Sequence, residues 1–230
     1  LFLYVGLPIA LVYDRLIGNV VGDGAFKSFP TASPPILLSP TEKIQRTIEF
    51  QFNAMARVLT GNKSATFADV SALAERMAKA REFLRVINER LNSADLQNKI
   101  NPNVAIRVSD QDAAVPVTQD VYRIGIYPVA GNPLHWDHLL VALEAIAMEG
   151  LDKVYFDIQS GADIRKPILN FTEKYRYALC KEELEMFAPF FGFSENVSAD
   201  GETDIFRILK LNPDQKIDAF YIVGADHYNR

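Results

Sequence analysis

From Val121 onward the sequence alternates short β-rich runs with helical stretches, and this alternation narrows the fold more than any bulk property does. Val121–Tyr127 and Lys153–Ile158 (KVYFDI) read as strands, and Ile217–Val223 (IDAFYIV) as a buried strand. Between them, apolar spacing predicts helices from about Trp136 to Gly150, over Thr172–Phe187 and over Glu202–Leu211. Strands joined through helices by short turns pair in parallel and need cover on both faces. The expected class is α/β, a parallel sheet with helices on both faces.

The preceding half reads differently. Ser39, Pro40 and Glu42 form a helix start, with Ser39 as cap and Glu42 placed to answer its amide. Ile44, Ile48, Phe52 and Met55 then recur at helical spacing, which predicts a helix to about Thr60, closed by Gly61-Asn62. A second helix is expected over Phe67–Leu91, with Val70, Leu73, Met77, Phe83, Leu84, Ile87 and Leu91 on its apolar side. Its other side carries Arg76, Lys79, Arg81, Arg85 and Arg90, diluted by Glu75, Glu82 and Glu89; such a face could touch phosphates or a membrane surface, and is expected to be a solvated face. Residues 92–120 read as a linker around one short strand, Val104–Val108, and residues 18–40 as an irregular Gly/Pro/Ser-rich connection. The division expected is therefore 1–120, an α-helical N-terminal region with linker, and 121–230, the α/β domain.

The chain opens on LFLYVGLPIALVY, a run without charge that is too short to span a bilayer, which takes about 20 apolar residues. It is expected as a buried helix or strand, with the stump of a longer hydrophobic segment as the alternative. Hydrophobic residues at 49% and charged residues at 23% exclude collagen-like and largely disordered classes. A net charge of −5 argues against a surface built to wrap nucleic acid or an anionic membrane. The single cysteine, Cys180, excludes an internal disulfide and fits a reducing compartment, so a cytoplasmic protein is expected.

The chemistry concentrates in Arg123–Leu140, RIGIYPVAGNPLHWDHLL. A strand enters a Gly/Pro turn, and the turn enters a helix whose first turn presents His135 and His138 on one face. Helix N-termini in parallel sheets favour anions, and Gly131 lets the main chain come close to one. The plain alternative is that the two histidines only cap the helix. Zinc is a poor competitor, because no HExxH spacing, cysteine cluster or third nearby histidine completes a ligand set.

GIYPVAGNPLHWDH resembles the GIFGGTFDPIHYGH signature of the nucleotidyltransferase superfamily with the HxGH motif, and within it that of the nicotinate (nicotinamide) mononucleotide adenylyltransferases. Gly125 and Ile126 fall on the strand end, Asn132-Pro133 on the Asp-Pro pair, and His135 and His138 on the two histidines. Arg176 in KYRYALCKEELEMF and the closing Gly224-Ala225-Asp226 follow in the family's order. The likeness covers about residues 121–230. It implies a Rossmann-like domain that transfers an adenylyl group from ATP to nicotinate mononucleotide with release of pyrophosphate, in NAD biosynthesis. Mg2+ would accompany ATP, and no covalent enzyme intermediate is implied. His135, His138 and Lys166 would hold phosphates, with Arg165 a rival to Lys166. Ile126, Tyr127, Pro128, Gly131, Asn132, Arg176, Gly224 and Asp226 would bind the nucleotide. The expected partners are ATP and a mononucleotide, with neither nucleic acid nor membrane, and the N-terminal helices offer a surface for self-association.

Three departures qualify the pattern. Asp137 stands where the motif has Gly, and a carboxylate facing a triphosphate repels it unless it turns away, holds a histidine or meets magnesium. Pro128-Val129-Ala130 replaces Gly-Gly-Thr, and Pro128 has no N–H to give. The sequence ends at Arg230, just after Gly-Ala-Asp, so the domain is expected to be incomplete at its C-terminus. Two alternatives remain: a catalytically degenerate module with a regulatory or scaffolding role, and a related transferase with another acceptor, such as phosphopantetheine, or with CTP as donor.

Overall fold

A computed structural model describes residues 38–61, 66–118, 120–131, 134–158, 173–194 and 201–224. The N-terminal run and the connection up to residue 37 lie outside them. Helix α1 (Pro40–Gly61) starts as its sequence dictates: the Glu42 amide donates to Ser39 Oγ at 3.3 Å, and the Ser39 amide donates to Glu42 Oε2 at 2.7 Å. Helix α2 (Phe67–Leu91) opens on the same reciprocal arrangement between Thr66 and Asp69. Both satisfy amides that the helix itself leaves without partners.

Four strands follow, β1 (Val121–Val129), β2 (Lys153–Ile158), β3 (Phe191–Ser194) and β4 (Lys216–Tyr221). They form one sheet in the order β3-β2-β1-β4 with every neighbouring pair parallel. Helices α3 (Trp136–Glu149), α4 (Glu173–Glu185) and α5 (Gly201–Leu211) make the crossovers. This is the α/β, Rossmann-like arrangement. Strand order reverses at β1, which lies between β2 and β4, so a crevice is expected at its carboxyl end.

Alternate residues of the central strands serve two cores. Tyr127, Val129, Val154, Phe156 and Ile158 face α3, and they share one buried cluster with Ile44, Ile48 and Phe52 of α1 and with Ala80, Leu84 and Ile87 of α2. Helix α3 is thus covered on both sides, which explains its wide apolar arc of Leu139, Leu140, Ala142, Leu143, Ile146 and Ala147. On the other face Tyr122, Ile124, Ile126 and Tyr155 meet Ile208 of α5 together with Val104 and Ile106. Gly125 in mid-strand sits in a crowded place: a Cβ there would lie 2.8 Å from Ile222 Cδ1 and would make that side chain shift.

Pro128 is tolerated inside β1 for a topological reason. The Ile126 carbonyl receives the Ile222 amide at 2.9 Å on the β4 side. Pro128, two residues on, faces that same side beyond Tyr221, the last residue of β4, so no ladder bond is lost there.

Three details differ from the sequence expectations. Strand β3 was not expected: it has only four residues, one of them Gly192, and a Cβ at 192 would lie 2.5 Å from the Tyr155 ring. Val104–Val108 is not a strand; its segment is held by a side chain, with Asn212 Oδ1 accepting from the Arg107 amide at 2.9 Å and Asn212 Nδ2 donating to the Arg107 carbonyl at 2.7 Å. The basic face of α2 is more than a solvated surface. Arg81 Nε donates to Glu49 of α1 at 2.9 Å, and Arg90 Nε donates to the Ala147 carbonyl at the end of α3 at 3.0 Å. Among the described residues no helix is long and apolar enough to cross a membrane.

Candidate functional site

The site is assembled where β1 hands over to α3. Past Val129 the chain turns through Ala130 and Gly131, and Gly131 adopts φ +56°, in the left-handed region that side chains disfavour. A Cβ at this position would also lie 2.7 Å from Cys180 Sγ and 2.9 Å from Ile158 Cδ1. Helix α4 holds the turn from beneath. Buried Arg176 donates from Nη1 to the Ala130 carbonyl, and Cys180 Sγ lies 3.5 Å from the Gly131 carbonyl. Burial pushes the Cys180 thiol up to about 12, helped by the charge of Glu183, so it remains a protonated packing group and not a nucleophile.

Leu134 is buried and plugs the start of α3, which leaves His135 as N-cap in extended backbone. Its carbonyl accepts the His138 amide at 2.9 Å, and its own amide donates to His138 Nδ1 at 3.2 Å. That second bond needs an unprotonated Nδ1, so the neutral ring carries its proton on Nε2, the far side of the imidazole. The two rings lie face to face, centroids 3.7 Å apart and planes 31° from parallel. Tyr127 supports His138 edge-on at 6.0 Å. The His135 side chain is 47% exposed, so the pair stands at the surface of the sheet rim and not in an apolar interior.

Asp137, between the histidines, turns to α2. Its Oδ1 accepts from Arg76 Nε at 2.8 Å and its Oδ2 from Arg76 Nη2 at 3.5 Å, while His135 Nδ1 is 3.9 Å away. The Arg76 guanidinium, with smaller help from His135 and His138, holds the Asp137 carboxyl below the usual aspartate range. Arg76 could not be found from local sequence: it lies 61 positions from its partner, on a different helix.

The other residues picked from the sequence fall as follows. Ile126 is fully buried in the second core, Tyr127 and Pro128 are buried at the strand end, and Gly131 is buried in the turn. Arg176 is buried against the Ala130 carbonyl. Gly224 is half-buried just past β4, the strand beside β1. Asn132, Lys166 with its neighbour Arg165, and Asp226 lie outside the described residues. Asp157 and Ser194, register partners at the ends of β2 and β3, are fully buried polar residues that the sequence reading passed over. No group of three His, Cys, Asp or Glu side chains able to hold a metal ion occurs among the described residues.

No family model matches the chain, and no solved structure matches it. Curated relatives do. The chain is 29% identical over 105 residues to a probable nicotinate-nucleotide adenylyltransferase of Clostridium botulinum (strain Alaska E43 / Type E3), an alignment covering 45% of this chain and 52% of that protein. A protein of the same name from C. botulinum strain Eklund 17B shows the same identity and coverage. One from Bacillus cytotoxicus is 29% identical over 117 residues, covering 45% of this chain and 56% of its own length. The chain spans about half the length of the curated relatives it matches, and all three of these carry the name probable nicotinate-nucleotide adenylyltransferase.

Proposed function

We propose that the rim formed by β1, the Gly131 turn and the first turn of α3 binds the phosphates of a nucleoside triphosphate, and that the activity is adenylyl transfer from ATP to nicotinate mononucleotide. The observation that carries this reading is the His135 amide to His138 Nδ1 hydrogen bond, which fixes the ring proton on Nε2 and the imidazole at the positive end of a helix. The names of the relatives support the choice of donor and acceptor.

In the transfer, a phosphate oxygen of the mononucleotide forms a bond to the α-phosphorus of ATP. The bond from that phosphorus to the bridging oxygen breaks, and pyrophosphate leaves with the electron pair. The chain contributes positioning and charge neutralisation, with no covalent intermediate. His135 and His138 would donate to phosphate oxygens as negative charge grows on the leaving group. Magnesium bound to the triphosphate would neutralise further charge. Asp137, the acidic side chain between the two histidines, is engaged by Arg76.

A second reading, a module that binds nucleotide without turning it over, is favoured by the turn itself. Pro128 has no N–H to give to a phosphate at the end of the strand. Calorimetric titration of ATP with magnesium, followed by pyrophosphate detection with nicotinate mononucleotide, tests both. Saturable binding weakened at least about tenfold by His138→Ala, together with pyrophosphate release, is the expected result. Binding without release establishes the second reading, and no binding overturns both. A circular-dichroism check on His138→Ala, with His138→Asn retaining a capping side chain, separates site loss from misfolding.

A further inference from the structure

We infer that Arg76, which reaches the site from the helical region before the α/β part, is a positioning residue for the bound phosphates: it draws the Asp137 carboxylate away from the anion and supplies the positive charge that offsets it. The inference rests on the phosphate-binding reading above and adds a residue that the strand–turn–helix motif does not contain.

Asp137 lies in the first turn of α3 between two imidazoles, 3.9 Å from His135 Nδ1. An isolated carboxylate there would favour the helix but oppose a polyanion approaching the same helix end. Arg76 resolves this conflict with two contacts from one guanidinium, at 2.8 and 3.5 Å. The Asp137–Arg76 pair is neutral, so the rim's outward character is left to the imidazoles and helix amides. Both side chains are about half-exposed, 42% for Arg76 and 56% for Asp137, and Arg76 Nη1 also donates to the Ala72 carbonyl at 3.5 Å, so the guanidinium acts on an arriving phosphate through its charge and its hold on Asp137. The groups facing Asp137 are Arg76 from α2 and His135 and His138 from its own helix, with Glu75 acting on Arg76 from behind.

Arg76 is also held in place. Helix α2 is capped at Thr66 ten residues before it, and Arg90 farther along binds the Ala147 and Met148 carbonyls at 3.0 and 3.3 Å. The two helices therefore lie alongside each other in the same direction. Each end of α3 receives an arginine from α2, one through Asp137 and one directly on carbonyls.

The test is calorimetric titration of the full chain with ATP and magnesium at low and high salt. Arg76→Ala is expected to weaken binding about tenfold at ~0.05 M salt and only about twofold at ~0.5 M, because the effect is a screened charge at a rim. Asp137→Asn in that background should recover most of the loss, and Arg76→Lys should retain most of the affinity. Asp137→Asn alone, which leaves the guanidinium available, should bind at least as tightly as wild type. Unchanged affinity in Arg76→Ala, a loss insensitive to salt, or weaker binding by Asp137→Asn alone overturns the inference. If Arg76→Ala does not fold, Asp137→Asn alone decides. A folded wild type that binds no ATP would instead overturn the phosphate-binding reading itself.

Discussion

Cys180 Sγ and the Gly131 carbonyl oxygen lie 3.5 Å apart, joining the fourth helix to the turn that precedes the histidines. The same sulfur occupies the space that any side chain at 131 would need. Gly131→Ala combines that overlap with an unfavourable φ and is expected to destabilise the protein by about 1–3 kcal/mol. Urea unfolding measures this. Cys180→Ala in the same background should recover only part of the loss, because Ile158 and the backbone conformation still oppose the methyl group.

Asn212→Ala removes three hydrogen bonds from one buried side chain: the Arg107 amide on Oδ1, and Nδ2 on the Arg107 and Ile208 carbonyls. A loss of about 1–3 kcal/mol is expected from the groups left without partners. Amide exchange should speed up around Arg107 before it does in β1, since the side chain replaces strand pairing for that segment.

Asp137→Asn should flatten part of the acid limb of stability. The folded carboxyl sits below its ordinary value, so its contribution is present above the unfolded aspartate value of about 3.9 and is lost as pH falls through the folded one. For a half-exposed pair the wild-type advantage at neutral pH is expected to be at most about 1 kcal/mol. The difference between the unfolding midpoints of the two proteins should shrink as pH falls below the unfolded aspartate value. A constant difference across that range would contradict the assignment.

The elements visible in the sequence are those whose signals are local. The Ser39/Glu42 start, the strand KVYFDI and the helix stop at Gly150 each depend on residues within one turn or one strand, and each occurs where the residues place it. The histidine pair was legible for the same reason. Strand β3 was hidden because Gly192 answers to the Tyr155 ring, a neighbour in space and not in sequence. Arg76 was hidden in the same way. Its charge reads as one of several along a basic helix until Asp137, on another element, gives it a partner.

Because Leu84 and Ile87 of α2 and Ile44, Ile48 and Phe52 of α1 share a single core with Leu139, Leu143 and Ile146, the part from Val121 onward does not carry its own covering. Cut free, it would present a broad oily flank to water beside Trp136, whose indole meets the Phe52 ring at 4.8 Å. The portion from Val121 onward would therefore clump when expressed alone, and grafting it elsewhere would require bringing its helical jacket along.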